Sequence, residues 1–199
     1  MTRYGLVSIL LVVACGSSLP AYDYAKEADP RNKELVLGVG DVLAINVWGA
    51  DNKDLNTDAT IRPDGTITMP LVGDLHAAGD TPSALKTKIK VQLANFVKLQ
   101  GGTEITVAVK AWKSYRFTLE GEVGRPGVYT SDQYVTVAEA LAMAGGVTRF
   151  ANRSGIKLLR RNPTNGNTRQ IPLDYDELAS GKRLDMNIYV LPGDLIYVP

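Results

Sequence analysis

Cysteine and histidine are almost missing from this chain: its 199 residues contain one of each, Cys15 and His76. A single cysteine excludes an intrachain disulfide framework and a cysteine-built zinc site. A single histidine leaves little for Ser-His-Asp or metal-assisted hydrolysis, so no metal and no cofactor are expected. Net charge is nearly absent too, at a formal +1. With no basic run anywhere, nucleic acid is not an expected partner. After the first fifteen residues no apolar run is long enough to cross a bilayer as a helix. What remains is ordinary globular composition, 45% hydrophobic and 22% charged, enough for one large domain or two small ones.

The start of the chain reads as a processing signal over residues 1–14. Arg3 supplies the positive end, and Leu6, Val7 and the run Ile9-Leu10-Leu11-Val12-Val13 supply an apolar stretch of signal-peptide length. The stretch ends in Val12-Val13-Ala14-Cys15, which resembles a bacterial lipobox: a small residue precedes a cysteine whose thiol takes a diacylglycerol. Gly16 follows the cysteine where inner-membrane retention calls for Asp, so a lipid anchor in the outer membrane, facing the periplasm, is expected. Residues 15–34 are small, polar and without period, and read as a lipidated flexible linker.

Ordered structure is expected from Leu35. Val42-Leu43-Ala44-Ile45-Asn46-Val47-Trp48 alternates as a strand that Gly49 ends. Thr60-Ile61-Arg62 and Thr66-Ile67-Thr68-Met69 flank Pro63-Asp64-Gly65 and read as a tight hairpin. In it Pro63 presets its φ, Asp64 bonds back to the turn and Gly65 takes a positive φ. Leu71 to Leu75 continues the strands. Thr81 and Pro82 open an amphipathic helix that carries Leu85, Ile89, Leu93, Phe96 and Val97 on one face and ends near Gly101-Gly102. Its lysines read as a solvated face. Ile105, Val107 and Val109 alternate towards Trp112.

A second unit begins with the strand Phe117 to Val123, followed by a turn at Arg125-Pro126-Gly127. Thr136 and Glu139 form a capping box for a short helix carrying Val137, Ala140, Leu141 and Ala144 inward to Gly145-Gly146. Ile156 to Arg160 and Arg169 to Leu173 pair through Asn165-Gly166. Ile188-Tyr189-Val190 and Leu195 to Val198 read as a closing hairpin-like pair. Gly38-Val39-Gly40-Asp41 echoes Leu191-Pro192-Gly193-Asp194. Each is a glycine turn feeding a hydrophobic strand, with Gly40, Asp41, Gly193 and Asp194, like Gly127, in structural turn roles.

These motifs carry a resemblance. Leu37-Gly38-Val39-Gly40-Asp41-Val42 with Val47-Trp48-Gly49, then Ile61 to Ile67 and Pro70-Leu71-Val72-Gly73, resemble the opening of the bacterial polysaccharide-export (Wza-like) domain. Gly121-Glu122-Val123 with Arg125 to Tyr129, then Ala140 to Gly146, resemble its soluble-ligand-binding β-grasp (SLBB) domain, and Val190 to Pro199 fits as well. The order of the motifs makes the likeness specific where each glycine motif alone is weak. The resemblance implies an α+β fold of two small domains. A mixed β-sheet domain with one amphipathic helix would span 35–112, and a β-grasp domain 113–199.

The resemblance also implies a homo-oligomeric ring of outer-membrane lipoproteins that passes capsule or exopolysaccharide outward. Its partner would be an inner-membrane polysaccharide co-polymerase, often tyrosine-kinase-linked. The longest family members continue into an amphipathic helix that lines a pore. This sequence stops at Pro199, so a separate outer-membrane barrel is expected as a further partner.

Two other classes compete. One is a periplasmic lipoprotein that binds a ligand or glycan through the β-grasp unit, outside any conduit. The other is a glycan hydrolase using Glu120 and Glu122, which stand two apart on one strand; a solvated strand face explains that pair more simply. No enzyme activity is expected. Tyr115, Tyr129, Tyr134 and Arg125 are the candidates for polysaccharide contact, since aromatic faces stack on sugar rings and arginine bonds hydroxyls; packing is the competing role for the tyrosines.

Cys15→Ser is expected to give an unprocessed or soluble species, because the acyl acceptor is gone. Fractionation of the variant with outer membranes at the wild-type level contradicts the anchor.

Overall fold

Two hydrophobic cores, built from different segments, organise the chain. The structure, a computed structural model, describes residues 22–27, 29–48, 55–97, 103–162 and 165–199. The processing signal, Cys15, Gly49 and Gly101-Gly102 lie outside the described residues. Among the described residues no helix is long and apolar enough to cross a membrane.

The first core rests on β1 (Val42–Trp48), in which Leu43, Ile45 and Val47 point inward and their neighbours outward. It is the middle of a three-stranded antiparallel sheet, between β2 (Thr57–Thr60) and β5 (Glu104–Ala111). Helix α1 (Pro82–Leu93) covers this core with Leu85, Ile89 and Leu93, one turn apart and all fully buried. Each contributes on the order of 1.5–3 kcal/mol by leaving water. Thr81 caps the helix by accepting the Ala84 N–H at 3.2 Å. The helix ends earlier than its apolar pattern suggests. Beyond Leu93 the chain tightens into a 3-residue-step turn, with Phe96 N–H on Leu93 O, and Phe96 stands 57% exposed. The lysines face solvent and engage carboxylates, Lys88 with Asp80 at 2.5 Å and Lys86 with Glu104.

The expected hairpin across Pro63-Asp64-Gly65 forms only as a turn. Arg62 N–H bonds Thr66 O and Gly65 N–H bonds Arg62 O, both at 2.9 Å. The flanking strands then part: β2 stays with β1, while β3 (Thr66–Met69) pairs with β4 (Gly73–His76). Gly65 has φ +80° and Asp64 accepts the Thr66 N–H, as its turn role requires. The Thr66 hydroxyl, which donates to Asp64 at 2.6 Å, then the Thr66 N–H, with Arg62 beside them, hold the Asp64 carboxyl down at about 2. The β3–β4 connection runs instead through Leu71, which adopts φ 65°. That strain is local to a turn where glycine would be free of it.

The second core belongs to a five-stranded mixed sheet in the order β7-β6-β10-β8-β9. These strands are β6 (Arg116–Gly121), β7 (Gly127–Thr130), β8 (Ile156–Arg161), β9 (Thr168–Leu173) and β10 (Leu195–Val198). The last strand is central rather than one arm of a closing hairpin. It runs parallel to β6 and antiparallel to β8, with Ile196 and Val198 fully buried. Tyr189 instead bridges Thr136. Helix α2 (Val137–Met143) packs Val137, Ala140 and Leu141 into the core and starts with the complete Thr136–Glu139 capping box. Helix α3 (Tyr175–Ala179) was not legible from periodicity. Its signal is the Asp174 cap, which accepts the Glu177 N–H at 3.0 Å.

Glycines at and after the end of β6 bring the chain close to β10 and to the C-terminal end of helix α2. Gly121 has φ +86°, and a Cβ there would sit 2.0 Å from the Val198 carbonyl oxygen. Gly124 lies against the Ala144 carbonyl, to which Arg125 N–H donates at 2.7 Å. Gly121→Ala is therefore expected to cost about 2–4 kcal/mol, combining a strained φ with a backbone clash in the central strand. Urea unfolding of the two forms checks it; an unchanged midpoint contradicts the close approach.

Candidate functional site

The described residues between Tyr22 and Lys33, read as flexible linker, form a strap bound to the second unit. Tyr24 is 5% exposed and belongs to the second core, and its hydroxyl donates to Pro172 O at 2.5 Å. Asp29 caps a short turn at Pro30–Asn32, and Arg31 lies over the Tyr189 ring at 4.7 Å. Apolar periodicity could not show this, because one aromatic plug and one carboxylate do the docking.

That carboxylate is Glu27. Its side chain is 2% exposed and accepts from Arg160 Nη1 at 2.6 Å and Arg169 Nη2 at 2.7 Å. The Tyr22 hydroxyl also donates to Glu27. Burial, then that bond, pushes the Tyr22 phenol up to about 12. Arg160 is itself buried, and every nitrogen of its fork is engaged. Nε and Nη2 hold Asp194 at 3.0 and 2.6 Å, and Nη2 also donates to Tyr189 O at 2.7 Å. Burial pushes the Asp194 carboxyl up, opposed by its bonds to Arg160.

Asp41 and Asp194 occupy the same local geometry. Each follows a glycine of positive φ, Gly40 at 91° and Gly193 at 83°. Each accepts the N–H three residues back, Gly38 at 2.8 Å and Leu191 at 2.7 Å. Both carboxylates are buried, so each needs a further donor. For Asp194 it is Arg160. For Asp41 it is Ser114, through its N–H at 2.7 Å and its hydroxyl at 2.9 Å, which ties the start of the first unit to the start of the second. Gly127, by contrast, has no positive φ and simply begins β7.

The sugar-contact candidates do not converge. Tyr115 is fully buried, with its hydroxyl donating to Val190 O and accepting the Val135 N–H. It is a core residue, not a surface contact, because its ring stacks on Trp112 at 4.6 Å inside the aromatic cluster. Burial raises its phenol pKa. Tyr129 donates to Arg125 O at 2.5 Å, and Arg125 Nη2 reaches Met143 O. Those two form a pair of their own.

Tyr134 does line a cleft, of about 470 Å3, with Arg31, Trp112, Asp132, Glu139 and Tyr189. Its ring meets Trp112 edge-on at 4.8 Å, and burial raises its phenol pKa. Aromatic faces beside a carboxylate and a guanidinium suit a hydroxyl-rich ligand. Sequence reasoning missed Arg31 and Tyr189, which reach the cleft only because the strap docks. Glu122 accepts from Thr148 Oγ1 at 2.5 Å, and the positive φ of Gly121 breaks the alternation that would have set it beside Glu120.

The architecture is thus an α+β pair of small units joined at Asp41–Ser114, the second a mixed sheet laced by an N-terminal strap. Comparison with known families gives this arrangement its place. The family described as polysaccharide biosynthesis/export protein matches residues 29–110, and the SLBB domain matches residues 116–172. The chain is 32% identical over 159 residues to the exopolysaccharide production protein ExoF of Rhizobium meliloti, covering 76% of this chain and 34% of that protein. It is 29% identical over 185 residues to the EPS I polysaccharide export outer membrane protein EpsA of Ralstonia nicotianae, covering 81% and 46%. It is 23% identical over 177 residues to the capsule polysaccharide export protein BexD of Haemophilus influenzae, covering 80% and 42%. The chain spans about a third to just under half the length of these curated relatives. It belongs to the polysaccharide-export family, with an export domain followed by an SLBB domain.

Glu27→Ala leaves Arg160 buried and under-neutralised, so it is expected to destabilise the second unit by about 3–5 kcal/mol. Trypsin should then cut faster after Lys26 and Arg31. Wild-type unfolding and cleavage rates would mean that the strap is not held by this carboxylate.

Proposed function

We propose that this chain is a lipid-anchored component of an outer-membrane polysaccharide-export machine, with no catalytic role. It acts on the periplasmic side as a ring of identical copies and passes polymer outward. It works with an inner-membrane co-polymerase and an outer-membrane barrel. The single observation that carries the reading is the pair of family matches, export domain then SLBB domain, in that order across residues 29–172.

The strap adds an orientation. Seven residue steps separate Cys15 from Tyr22, a reach of at most about 25 Å at roughly 3.5 Å per residue. A lipid at Cys15 therefore holds the SLBB unit, on which the strap lies, close to the membrane. The export domain is then the part that projects towards the periplasm and the inner-membrane partner. The cleft around Tyr134 and the Arg125–Tyr129 pair are the surfaces best suited to touch sugar, through ring stacking and hydroxyl bonding.

Deleting the gene in its native cell is expected to abolish surface polysaccharide, and a plasmid copy of the wild type to restore it. Unchanged surface polymer in the deletion strain contradicts the proposal. Electron microscopy of the purified lipidated chain should show closed rings; a stable monomer at micromolar concentration contradicts the assembly.

A further inference from the structure

The Arg161 end of β8, the Thr168 end of β9 and the Leu191-Pro192-Gly193-Asp194 turn border a second cleft, of about 650 Å3. Its walls include Arg161, Asn167, Thr168 and Arg169, with apolar surface from Leu191 and Pro192. In the β8–β9 register Arg161 stands opposite Thr168, and Arg160 opposite Arg169. Arg161 and Arg169 thus leave the strand pair on opposite faces, and the cleft takes in both.

Positive charge in this cleft exceeds what the fold uses. Asp194 is engaged by Arg160 and the Leu191 N–H, and Glu27 by Arg160 and one nitrogen of Arg169. Arg169 keeps the rest of its guanidinium for solvent, with its side chain 53% exposed. Arg161 is exposed and pairs with no carboxylate among the described residues. A free planar guanidinium is best matched by a carboxylate, which it can hold through two parallel N–H bonds. The amide of Asn167 and the hydroxyl of Thr168 offer the mixed donors and acceptors that sugar hydroxyls need. Leu191 and Pro192 offer a surface for the C–H face of a ring, the usual combination of apolar wall and few convergent polar groups.

We propose that this cleft binds a carboxylate-bearing sugar unit, of the uronic-acid type, in an acidic polysaccharide. The inference rests on the export reading and adds the chemical class of its cargo. The cleft is open to solvent, so its attraction for the polymer weakens with salt, as suits a contact that must let a moving chain go.

Calorimetric titration of the purified mature chain tests it with three probes: a short oligogalacturonate, a neutral cello-oligosaccharide of equal length, and inorganic phosphate. Oligogalacturonate should bind, less tightly as salt is raised, and the neutral sugar should not. Arg161→Gln should weaken oligogalacturonate about tenfold or more while leaving thermal unfolding unchanged, since the side chain is exposed and without an acidic partner. Absence of oligogalacturonate binding, equal binding to the variant, or phosphate binding as tightly as the oligosaccharide would overturn the proposal. Complementation of the deletion strain separates the two levels. A wild-type copy that fails to restore surface polymer contradicts the export reading itself. A wild-type copy that restores it, matched by a fully active Arg161→Gln copy, contradicts only the acidic-sugar cleft.

Discussion

Arg160 is a buried cation at the point where three distant parts of the chain meet. A guanidinium removed from water costs several kcal/mol unless its charge is balanced and its donors are bonded. Asp194 balances it from the turn before the central strand, Glu27 from the strap, and Tyr189 O accepts from its remaining edge. The arrangement has two consequences. β10 is fixed between β6 and β8 at its entry, and the strap becomes part of the second unit instead of a tether beside it. Arg169 supplies the second positive charge, so Glu27 and Asp194 face two guanidinium groups across one small volume. With the strap docked, Arg31 and Tyr189 are brought together at the Tyr134 cleft.

The same device appears in the first unit in a milder form. Asp41 closes its glycine turn as Asp194 does, but its outside partner is the neutral Ser114. The contact is close: a Cβ on Gly38 would lie 2.4 Å from Ser114 Cβ. A turn that opens one unit is thereby locked to the residue that leads into the other, which couples the units without a large shared apolar surface. A hydrogen-bonded junction of this kind is stiffer than a free linker. Catalytic use of either aspartate is not needed to explain its burial.

Local chemistry was the legible part of the sequence. The Thr81 and Thr136 caps, the alternation of β1 and the glycine turns at Gly40, Gly65 and Gly193 all depend on neighbours within a few residues, and all stand in the structure. Pairing between distant segments was not legible. Thr60 and Thr66 flank a sound turn, yet β2 pairs with β1 and β3 with β4, so the two enter different sheets. Leu195 to Val198 reads as one arm of a closing hairpin, and only its pairing with both β6 and β8 reveals it as central. Tyr115 and Tyr134 are alike in sequence context, and the difference between core and cleft lies in what folds over them. The strap escaped because its docking depends on a few single contacts, chiefly those of Tyr24 and Glu27, without a periodic pattern.

The position of the strap governs more than its own docking. The strap completes the neutralisation of Arg160 and builds one wall of the Tyr134 cleft. Nuclear Overhauser contacts in the purified mature chain report that position directly. Cross-peaks between the Tyr24 ring protons and protons of the Pro172-Leu173 segment are predicted, from the hydroxyl bond to Pro172 O and the shared core of Tyr24 and Leu173. Tyr24 resonances that show only sequential contacts, or contacts to helix α1, would contradict the account.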